Sequence, residues 1–309
     1  MLKVSSMSKS FQMIYGVKYY LSRRKPSTRD NLVVFPVITP RDGLLFYVEE
    51  GVMKELEYVT KLSIRAVKRQ RLRDITLMFY IPPNDLRQGT VIVDKSHVMT
   101  IKEDILGNKL VEVSIDVIPP GKRELISVKQ KVKLKPFVVG EDIEFPQTEI
   151  SKTSEGRLQA ISEEIIAVAR KLRSENSLDT LINCVRFVRG HVRYRRKPYR
   201  LGSLFALKSR KGACIEIVDL CASILKSLGI PARTVIGYVI GGSFHAWLEI
   251  LTIKNYWVPI DPTMGILGIG SRWLKIYTEP KPGTKILRVD AKEKIALKME
   301  IYLEGEKIK

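Results

Sequence analysis

Three side chains of this sequence have the types and the order that covalent acyl-transfer chemistry needs. Cys214 follows a Gly-Ala pair at the start of an apolar run, His245 lies in a strand-like segment, and Asp261 ends the next such segment. A thiolate attacks a carbonyl carbon, a histidine carries the proton, and a carboxylate fixes the tautomer and orientation of the imidazole. The three residues are therefore a candidate catalytic triad.

The residues after Cys214 predict how its thiol is positioned. From Ile217 to Leu228 the apolar residues recur at helical spacing, so Cys214 is expected at or near a helix N-terminus. There the helix dipole and the first-turn N–H groups favour a thiolate, and the Cys214 backbone N–H could donate to an oxyanion. Gly229 is expected to end the helix, and an apolar strand is predicted from Thr234 to Ile240.

The predicted strands after this helix place the other two side chains. Period-two alternation puts His245, Trp247 and Glu249 on one face of the first strand. The second strand, from Tyr256 to Ile260, delivers Asp261 at its end. Adjacent antiparallel strands bring such side chains within reach of each other, although the spacing alone leaves the register open.

Basic charge is concentrated just before Cys214. Residues 186–200 contain seven Arg or Lys with two tyrosines interleaved, and Arg210 and Lys211 extend this character. An acidic or carboxylate-bearing substrate would be drawn to such a mouth, so Arg210, Lys211 and Trp247 are candidate substrate-binding residues, with core packing as the alternative for Trp247. The run also admits nucleic acid as a partner. The alternative is a solvated basic face, which is favoured because no nucleic-acid module motif accompanies the run.

The remaining cysteines and histidines have structural interpretations. Cys184 and Cys221 fall on the apolar sides of predicted helices, where core packing is expected. His97 lacks a second His or a nearby Cys, and His191 has no acidic partner at a suggestive position. We predict none of these four as catalytic.

The overall composition predicts a soluble, cytoplasmic protein. The 309 residues carry a net charge of +20, and no long uncharged apolar run or secretory signal is evident. Three cysteines without a paired framework indicate reduced thiols. No CxxC or HxxxH motif occurs, so we predict neither a metal site nor a cofactor.

The pattern of apolar runs predicts two domains. From Tyr15 to about Phe137, β-branched and apolar runs alternate with turn signals, as in an antiparallel β-sandwich. Residues 136–154 lose this periodicity and read as a linker, so we place the domains at 1–147 and 148–309, the second ending in a tail strand. Helical patterns follow at 158–173 and 177–192, with Ser177 as a candidate N-cap of the second.

Three sequence blocks around the candidate triad carry a family resemblance. The blocks GACIEIVDLCASILKSLGIPARTVIGYV, SFHAWLEI and YWVPIDPT resemble, in order and spacing, the signature blocks of the transglutaminase-like superfamily. The resemblance covers roughly residues 155–265, and the preceding part is similar to the β-sandwich found before this core in many prokaryotic members. It implies an α+β fold in which an N-terminal antiparallel β-sandwich precedes a papain-like core of helices packed on an antiparallel sheet.

The same resemblance implies roles for individual residues. Cys214 would be the nucleophile, His245 the general base and acid, and Asp261 the orienting residue. Arg233 and Glu249 also match family positions and are expected to act as a buried ion-pairing arginine and as structural support. Ile215 stands where animal cross-linking enzymes usually carry tryptophan, and there is no room for their calcium-binding insertions, so calcium-dependent cross-linking is not expected.

Two classes of function remain open on the sequence alone. The leading one is cysteine-dependent acyl transfer through a thioester on a peptide or protein amide, resolved by water as in a protease or amidase, with transamidation as a variant that needs the same triad. The second is a non-catalytic scaffold whose basic face holds an acidic partner such as nucleic acid.

Overall fold

The structure is a computed structural model. It describes residues 21–22, 32–40, 44–50, 53–67, 70–140, 143–147, 156–196 and 199–308. The first predicted strand run, which begins near Tyr15, and the part of the predicted linker after Gln147 lie almost entirely outside these ranges.

Short strands dominate the described chain, and four helices lie in its second half. None of these helices combines the length and the apolar character that a membrane crossing needs. The helices are α1 (Glu163–Leu172), α2 (Ser177–His191), α3 (Ser203–Ser209) and α4 (Cys214–Ser227). The strands in chain order are β1 (Leu21–Ser22), β2 (Leu32–Ile38), β3 (Leu44–Glu50), β4 (Lys54–Ala66), β5 (Leu72–Ile81), β6 (Gln88–Lys95), β7 (Thr100–Glu103), β8 (Lys109–Ile118), β9 (Arg123–Leu134), β10 (Phe137–Val138), β11 (Arg193–Tyr194), β12 (Lys211–Gly212), β13 (Ala232–Val239), β14 (Phe244–Leu251), β15 (Trp257–Ile260), β16 (Gly268–Ile269), β17 (Trp273–Thr278), β18 (Leu287–Asp290), β19 (Ile295–Leu303) and β20 (Glu306–Ile308).

The chain divides into two compact units, each assembled from separated stretches of sequence. The first unit is built from Met1–Val52, Pro136–Trp273 and Glu279–Gly283, and the second from Met53–Lys135, Leu274–Thr278 and Thr284–Lys309.

The core of the first unit is a buried helix packed on an antiparallel sheet. Eleven of the 14 residues of α4 are buried, because the helix is apolar on nearly every side. Strand β14 lies between β13 and β15, antiparallel to both, with Gly237 opposite His245 and Leu248 opposite Ile260. Ala246, Leu248 and Ile250 share one hydrophobic cluster with the buried residues of α2 and α4. This arrangement confirms the predicted α+β core of helices on an antiparallel sheet.

The second unit is an antiparallel β-sandwich, as predicted. One sheet has the order β18-β5-β8-β7 and the other β20-β19-β4-β9-β6. Strands β4, β5, β8 and β9 each send alternate apolar side chains into one shared core, the pattern expected when two sheets pack face to face.

The unit boundaries differ from the predicted division at residue 147. The chain leaves the sandwich at Lys135, and its C-terminal strands return to it: β18 pairs with β5, and β19 pairs with β4 over nine residue pairs. Strand β2 belongs instead to the first unit, where Val37 bridges to Ile266. These pairings join residues far apart in sequence, so local patterns do not reveal them.

The start of α2 also differs from the prediction. Asn176, rather than Ser177, is the N-cap, and its side chain accepts hydrogen bonds from the backbone N–H groups of Leu178 and Asp179. The Ser177 hydroxyl accepts from the backbone N–H of Phe145 at 2.9 Å. Both Asn and Ser are good N-caps. Because the Ser177 hydroxyl is engaged by Phe145, the capping role falls to Asn176.

A buried ion network holds α4 in place within the first unit. Arg200 donates from Nε to Asp219 Oδ2 at 2.8 Å and from Nη1 to both oxygens of Glu279 at 2.8 and 2.9 Å. Gln159 bridges Asp219 to Thr234 through its side-chain amide. Burial raises the pKa of both carboxyl groups, and the Arg200 charge opposes that shift. One guanidinium therefore compensates two buried carboxylates.

We expect Arg200→Met to destabilise the protein by about 3–5 kcal/mol, because it would leave Asp219 and Glu279 buried without their counter-charge. Urea unfolding followed by circular dichroism measures the change. The matched control is Arg170→Met on the exposed face of α1, which should stay within about 0.5 kcal/mol of wild type. Equal unfolding midpoints for the two variants would show that the network contributes little.

Candidate active site

Cys214 is the first residue of α4 and is half-buried. Its thiol therefore lies at the positive end of a 14-residue helix dipole, as predicted from the apolar spacing. Gly212 is needed just before it, since a Cβ there would lie 2.6 Å from Cβ of Glu216. The small residues before the cysteine thus allow the loop to pass close to the first turn of the helix.

Glu216 fixes that loop and was not predicted to do so. The residue is fully buried, and its two carboxylate oxygens accept from the backbone N–H groups of Ala213 at 2.8 Å and Leu201 at 3.0 Å. A glutamate at the third helical position that reaches back to the N-cap N–H is half of a capping box. That spacing is visible in the sequence and could have revealed the contact.

His245 and Asp261 form a buried hydrogen-bonded pair. Their side chains have no exposed surface, and His245 Nε2 lies 2.7 Å from Asp261 Oδ2. The register of β14 between β13 and β15 places the histidine one residue inside the strand end and the aspartate directly after β15. The structure therefore resolves the register that the sequence left open.

Asp261 accepts three further hydrogen bonds. Its Oδ1 receives the backbone N–H groups of Thr263 at 3.0 Å and Met264 at 3.1 Å, and its Oδ2 receives the indole N–H of Trp273 at 3.2 Å. The turn that supplies two of these donors needs Gly265, which has φ +74° and lies against the carbonyl of Ile38. Such a carboxylate is held in one orientation.

The charges around His245 favour its protonated form. Burial lowers the pKa of His245. The charge of Asp261 and its hydrogen bond to the imidazole outweigh burial, with smaller contributions from a hydrogen bond to Cys214 and from the Cys214 charge. Together they raise the pKa to about 10. The contribution from Cys214 places the thiol beside the imidazole. Because Asp261 engages Nε2, Nδ1 is the ring nitrogen that remains for proton exchange with a thiol. The structure thus brings the three predicted residues together.

Arg189 is a charged neighbour that sequence reasoning missed. Burial lowers the pKa of its guanidinium to about 10, against the opposing negative charge of Asp261. Its Nη1 donates to the carbonyl of Ile38, and it lies against Gly265. Arg189 belongs to the basic run 186–200, where its direction depends on the rotation of α2 and cannot be read from composition.

The predicted substrate-binding residues lie in two different environments. Arg210 and Lys211 are exposed and directly precede the loop into Cys214. Trp247 is fully buried and packs in a cluster with Val235 and Trp273, with its ring centroid 6.4 Å from that of His245. Trp247 has no exposed surface with which to bind substrate in this structure. Its environment is that of a packing residue, the alternative interpretation given for it above.

Arg233 forms an ion pair, as expected, and the structure identifies Glu249 as its partner. The two residues are register partners on β13 and β14, and Arg233 Nε donates to Glu249 Oε2 at 2.7 Å. The guanidinium also lies 4.1 Å from the ring centroid of Trp257. This cluster supports the sheet that carries His245.

The other cysteines and histidines have the structural environments expected. Cys184 and Cys221 are fully buried, and burial raises the pKa of both thiols. His191 Nε2 lies 2.7 Å from the carbonyl oxygen of Leu207, and His97 pairs with Glu124. Within the described ranges, no three His, Cys, Asp or Glu side chains are grouped so that they could hold a metal ion.

The part of the chain that carries this site is similar in sequence to a known protein superfamily. Residues 166–262 match the model of the transglutaminase-like superfamily, a segment that contains Cys214, His245 and Asp261. A protein-glutamine gamma-glutamyltransferase of Pseudomonas aeruginosa is 33% identical over 72 residues, which cover 19% of this chain and 11% of that protein. The chain therefore matches only about a tenth of the length of this curated relative.

A solved structure shares the fold over most of the chain. It is a protein of Cytophaga hutchinsonii, provisionally described as a cysteine protease, with a TM-score of 0.60 and 15% identity over 82% of this chain and 91% of that one. At that identity the likeness concerns the fold alone. Residues 166–262 are therefore similar in sequence to the transglutaminase-like superfamily, and the fold is shared with this solved structure over most of the chain.

Proposed function

We propose that this protein catalyses cysteine-dependent acyl transfer from a peptide or protein amide, with Cys214 as the nucleophile. One observation carries the proposal: a fully buried His245 is held by Asp261 at 2.7 Å, and Cys214 at a helix N-terminus contributes to the raised pKa of that imidazole. An imidazolium beside a thiol at the positive end of a helix favours the thiolate, the reactive form of cysteine.

The reaction follows from these positions. The Cys214 thiolate adds to the carbonyl carbon of the amide, and His245 gives its proton to the leaving amine as the C–N bond breaks. The acyl group is then a thioester on Cys214. Water adds to this thioester while His245 removes its proton, and cleavage of the C–S bond releases a carboxylic acid and the thiolate, which regains its pairing with the imidazolium.

Two further groups have roles in this scheme. Asp261 keeps the imidazole in one tautomer and orientation, since its Oδ2 engages Nε2 and its other contacts keep the carboxylate fixed. The backbone N–H of Cys214, at the first position of α4, is our proposed donor to the oxyanion of each tetrahedral intermediate.

The acceptor distinguishes the two variants of this function. With water as the acceptor the protein is a protease or amidase, which is our first proposal. The 72-residue similarity to a protein-glutamine gamma-glutamyltransferase supports transamidation as the second, with a primary amine attacking the same thioester. Release of new amino groups from casein indicates hydrolysis, whereas incorporation of monodansylcadaverine into dimethylcasein indicates transamidation.

A non-catalytic scaffold would use the fold without this chemistry. Neither the comparisons nor the described structure supports nucleic acid as its partner. A scaffold predicts an unreactive Cys214 and no turnover of either casein substrate, so the experiments below separate it from an enzyme.

Cys214→Ala should abolish turnover of the substrate on which wild type is active, a loss of at least about 10³-fold, because no thioester can form. Initial rates on casein and dimethylcasein measure it. Cys184→Ala is the matched control, since it removes a fully buried thiol of α2 and should leave the rate within a few-fold of wild type. Turnover that persists in Cys214→Ala would remove this residue from the mechanism.

Asp261→Asn should lower kcat by roughly 10³–10⁴-fold with a much smaller effect on KM, because the amide would favour the wrong imidazole tautomer. Trp273→Phe, which removes the indole hydrogen bond to Asp261 and part of a buried ring but keeps the carboxylate, should lower kcat far less. Steady-state kinetics of both variants test this order. Equal kcat in Asp261→Asn and wild type would contradict the orienting role.

The raised pKa of His245 predicts the pH dependence of thiol reactivity. The imidazolium persists up to about pH 10, so below that pH it stabilises the Cys214 thiolate. Alkylation by iodoacetamide should therefore remain fast well below the pKa of about 8.5 of a free thiol. In His245→Gln the inflection of the alkylation rate plotted against pH should move up towards about 8.5, the pKa of a free thiol. Mass spectrometry of the Cys214 peptide in samples quenched at set times measures the alkylation rate at each pH. Coincident pH–rate profiles of wild type and His245→Gln would refute the ion pair between Cys214 and His245.

A further inference from the structure

Two short strands bring a second basic segment to the loop before Cys214. Strands β11 and β12 pair in parallel, with Arg193 opposite Lys211 and Tyr194 opposite Gly212. The backbone N–H of Arg193 donates to the carbonyl of Arg210 at 2.8 Å, and that of Arg195 donates to the carbonyl of Gly212 at 2.7 Å. The segment after α2 therefore runs alongside the residues that lead into the nucleophile.

The side chains of this pairing present one sign of charge to solvent. Arg193 and Arg195 are exposed, whereas Tyr194 between them is half-buried, as strand alternation requires. Lys211 is exposed opposite Arg193, and Arg210 is exposed beside it. Neighbouring strands lie only about 5 Å apart. We call Arg193, Arg195, Arg210 and Lys211 the basic ladder.

The positive charge of the basic ladder has no ion-pair partner within the described part of the chain. Among the residues that the structure describes, none of its four side chains forms a salt bridge. The carboxylates of α4 have partners outside the basic ladder. Glu216 accepts hydrogen bonds from two backbone N–H groups, and Asp219 pairs with Arg200. An anion approaching Cys214 along this ladder therefore meets cations.

We propose that the basic ladder selects acidic peptides, that is, acyl donors with a carboxylate side chain close to the amide that Cys214 attacks. The inference rests on the proposed function and adds its substrate class. Arg195 is bonded through its backbone to Gly212, two positions before the nucleophile, so the exposed cations of the ladder adjoin the loop that carries Cys214. Exposed cations attract such groups modestly, but several acting together add up and also raise the encounter rate.

A purely activating role makes a different prediction. Cations near Cys214 would stabilise its thiolate and speed its reaction with every electrophile equally. Selection for acidic substrates instead changes the ratio between an anionic and a neutral electrophile of similar size. Iodoacetate and iodoacetamide are such a pair, and both form the same type of S–CH₂ bond with loss of iodide.

The experiment measures the rate constants for alkylation of Cys214 by each reagent at about 0.1 M and about 1 M salt, where the Debye lengths are about 10 Å and 3 Å. Cys184 and Cys221 are fully buried, so the Cys214 peptide is read separately by mass spectrometry. In the triple variant Arg193→Gln, Arg195→Gln, Lys211→Gln, the iodoacetate-to-iodoacetamide ratio at low salt should fall about three- to tenfold. The wild-type ratio should fall similarly at high salt.

The matched control removes the same charge elsewhere. Arg123→Gln, Lys131→Gln and Lys292→Gln together neutralise three exposed cations of the second unit, and the ratio should stay at the wild-type value. Arg193→Glu alone should lower the ratio as well, which guards against misfolding of the triple variant. An unchanged ratio in the ladder variants, or an equal fall in the control, overturns the proposal.

This readout needs no amide substrate, so it separates the two proposals. A ladder-dependent ratio without casein turnover by wild type would reject the proposed function and retain the anion selectivity of the Cys214 surface. Casein turnover with a ladder-independent ratio would reject the acidic substrate class alone. Where turnover is found, paired peptides that differ by Glu or Gln beside the cleaved bond should show the same preference in kcat/KM.

Discussion

A carboxylate with no exposed surface is the constraint around which the first unit is organised. Placing Asp261 inside the protein costs several kcal/mol unless donors replace its water shell. The imidazole of His245, the indole of Trp273 and two backbone N–H groups of the following turn supply those donors. The donors come from three different parts of the sheet and its turns, so satisfying one charge aligns several elements.

The same balance of burial and compensation positions the nucleophile. Helix α4 buries Glu216 and Asp219 although its surroundings are apolar. Glu216 is satisfied by the backbone N–H groups of Ala213, at the start of the helix, and of Leu201, before α3, and Asp219 is satisfied by Arg200. Because both carboxylates have a geometric partner, the helix can neither slide nor rotate without leaving one of them unsatisfied. The thiol at its first residue thereby inherits a fixed position.

Local sequence patterns predicted the elements of the site, and long-range contacts decided the rest. The thiol at the helix start, the histidine in one strand and the aspartate after the next are each read from a few neighbouring residues. Arg189 and Arg200 looked alike within one basic run, yet one lies beside Gly265 and the other between two carboxylates. Long flexible side chains find partners only after helices pack. The placement of β18 and β19 in the sandwich likewise depends on distant partners, which periodicity does not encode.

The pairing of β19 with β4 has a consequence for how the protein folds. Ala66 pairs with Ile295, so residues 166–262 lie in sequence entirely between two neighbouring strands of the sandwich. Loop-closure entropy makes such a distant contact slow to form, although a core that has already collapsed shortens the loop that must close. The sandwich should therefore complete its sheets late, after the segment between its strands has become compact. The order of folding would then run from the middle of the sequence outwards.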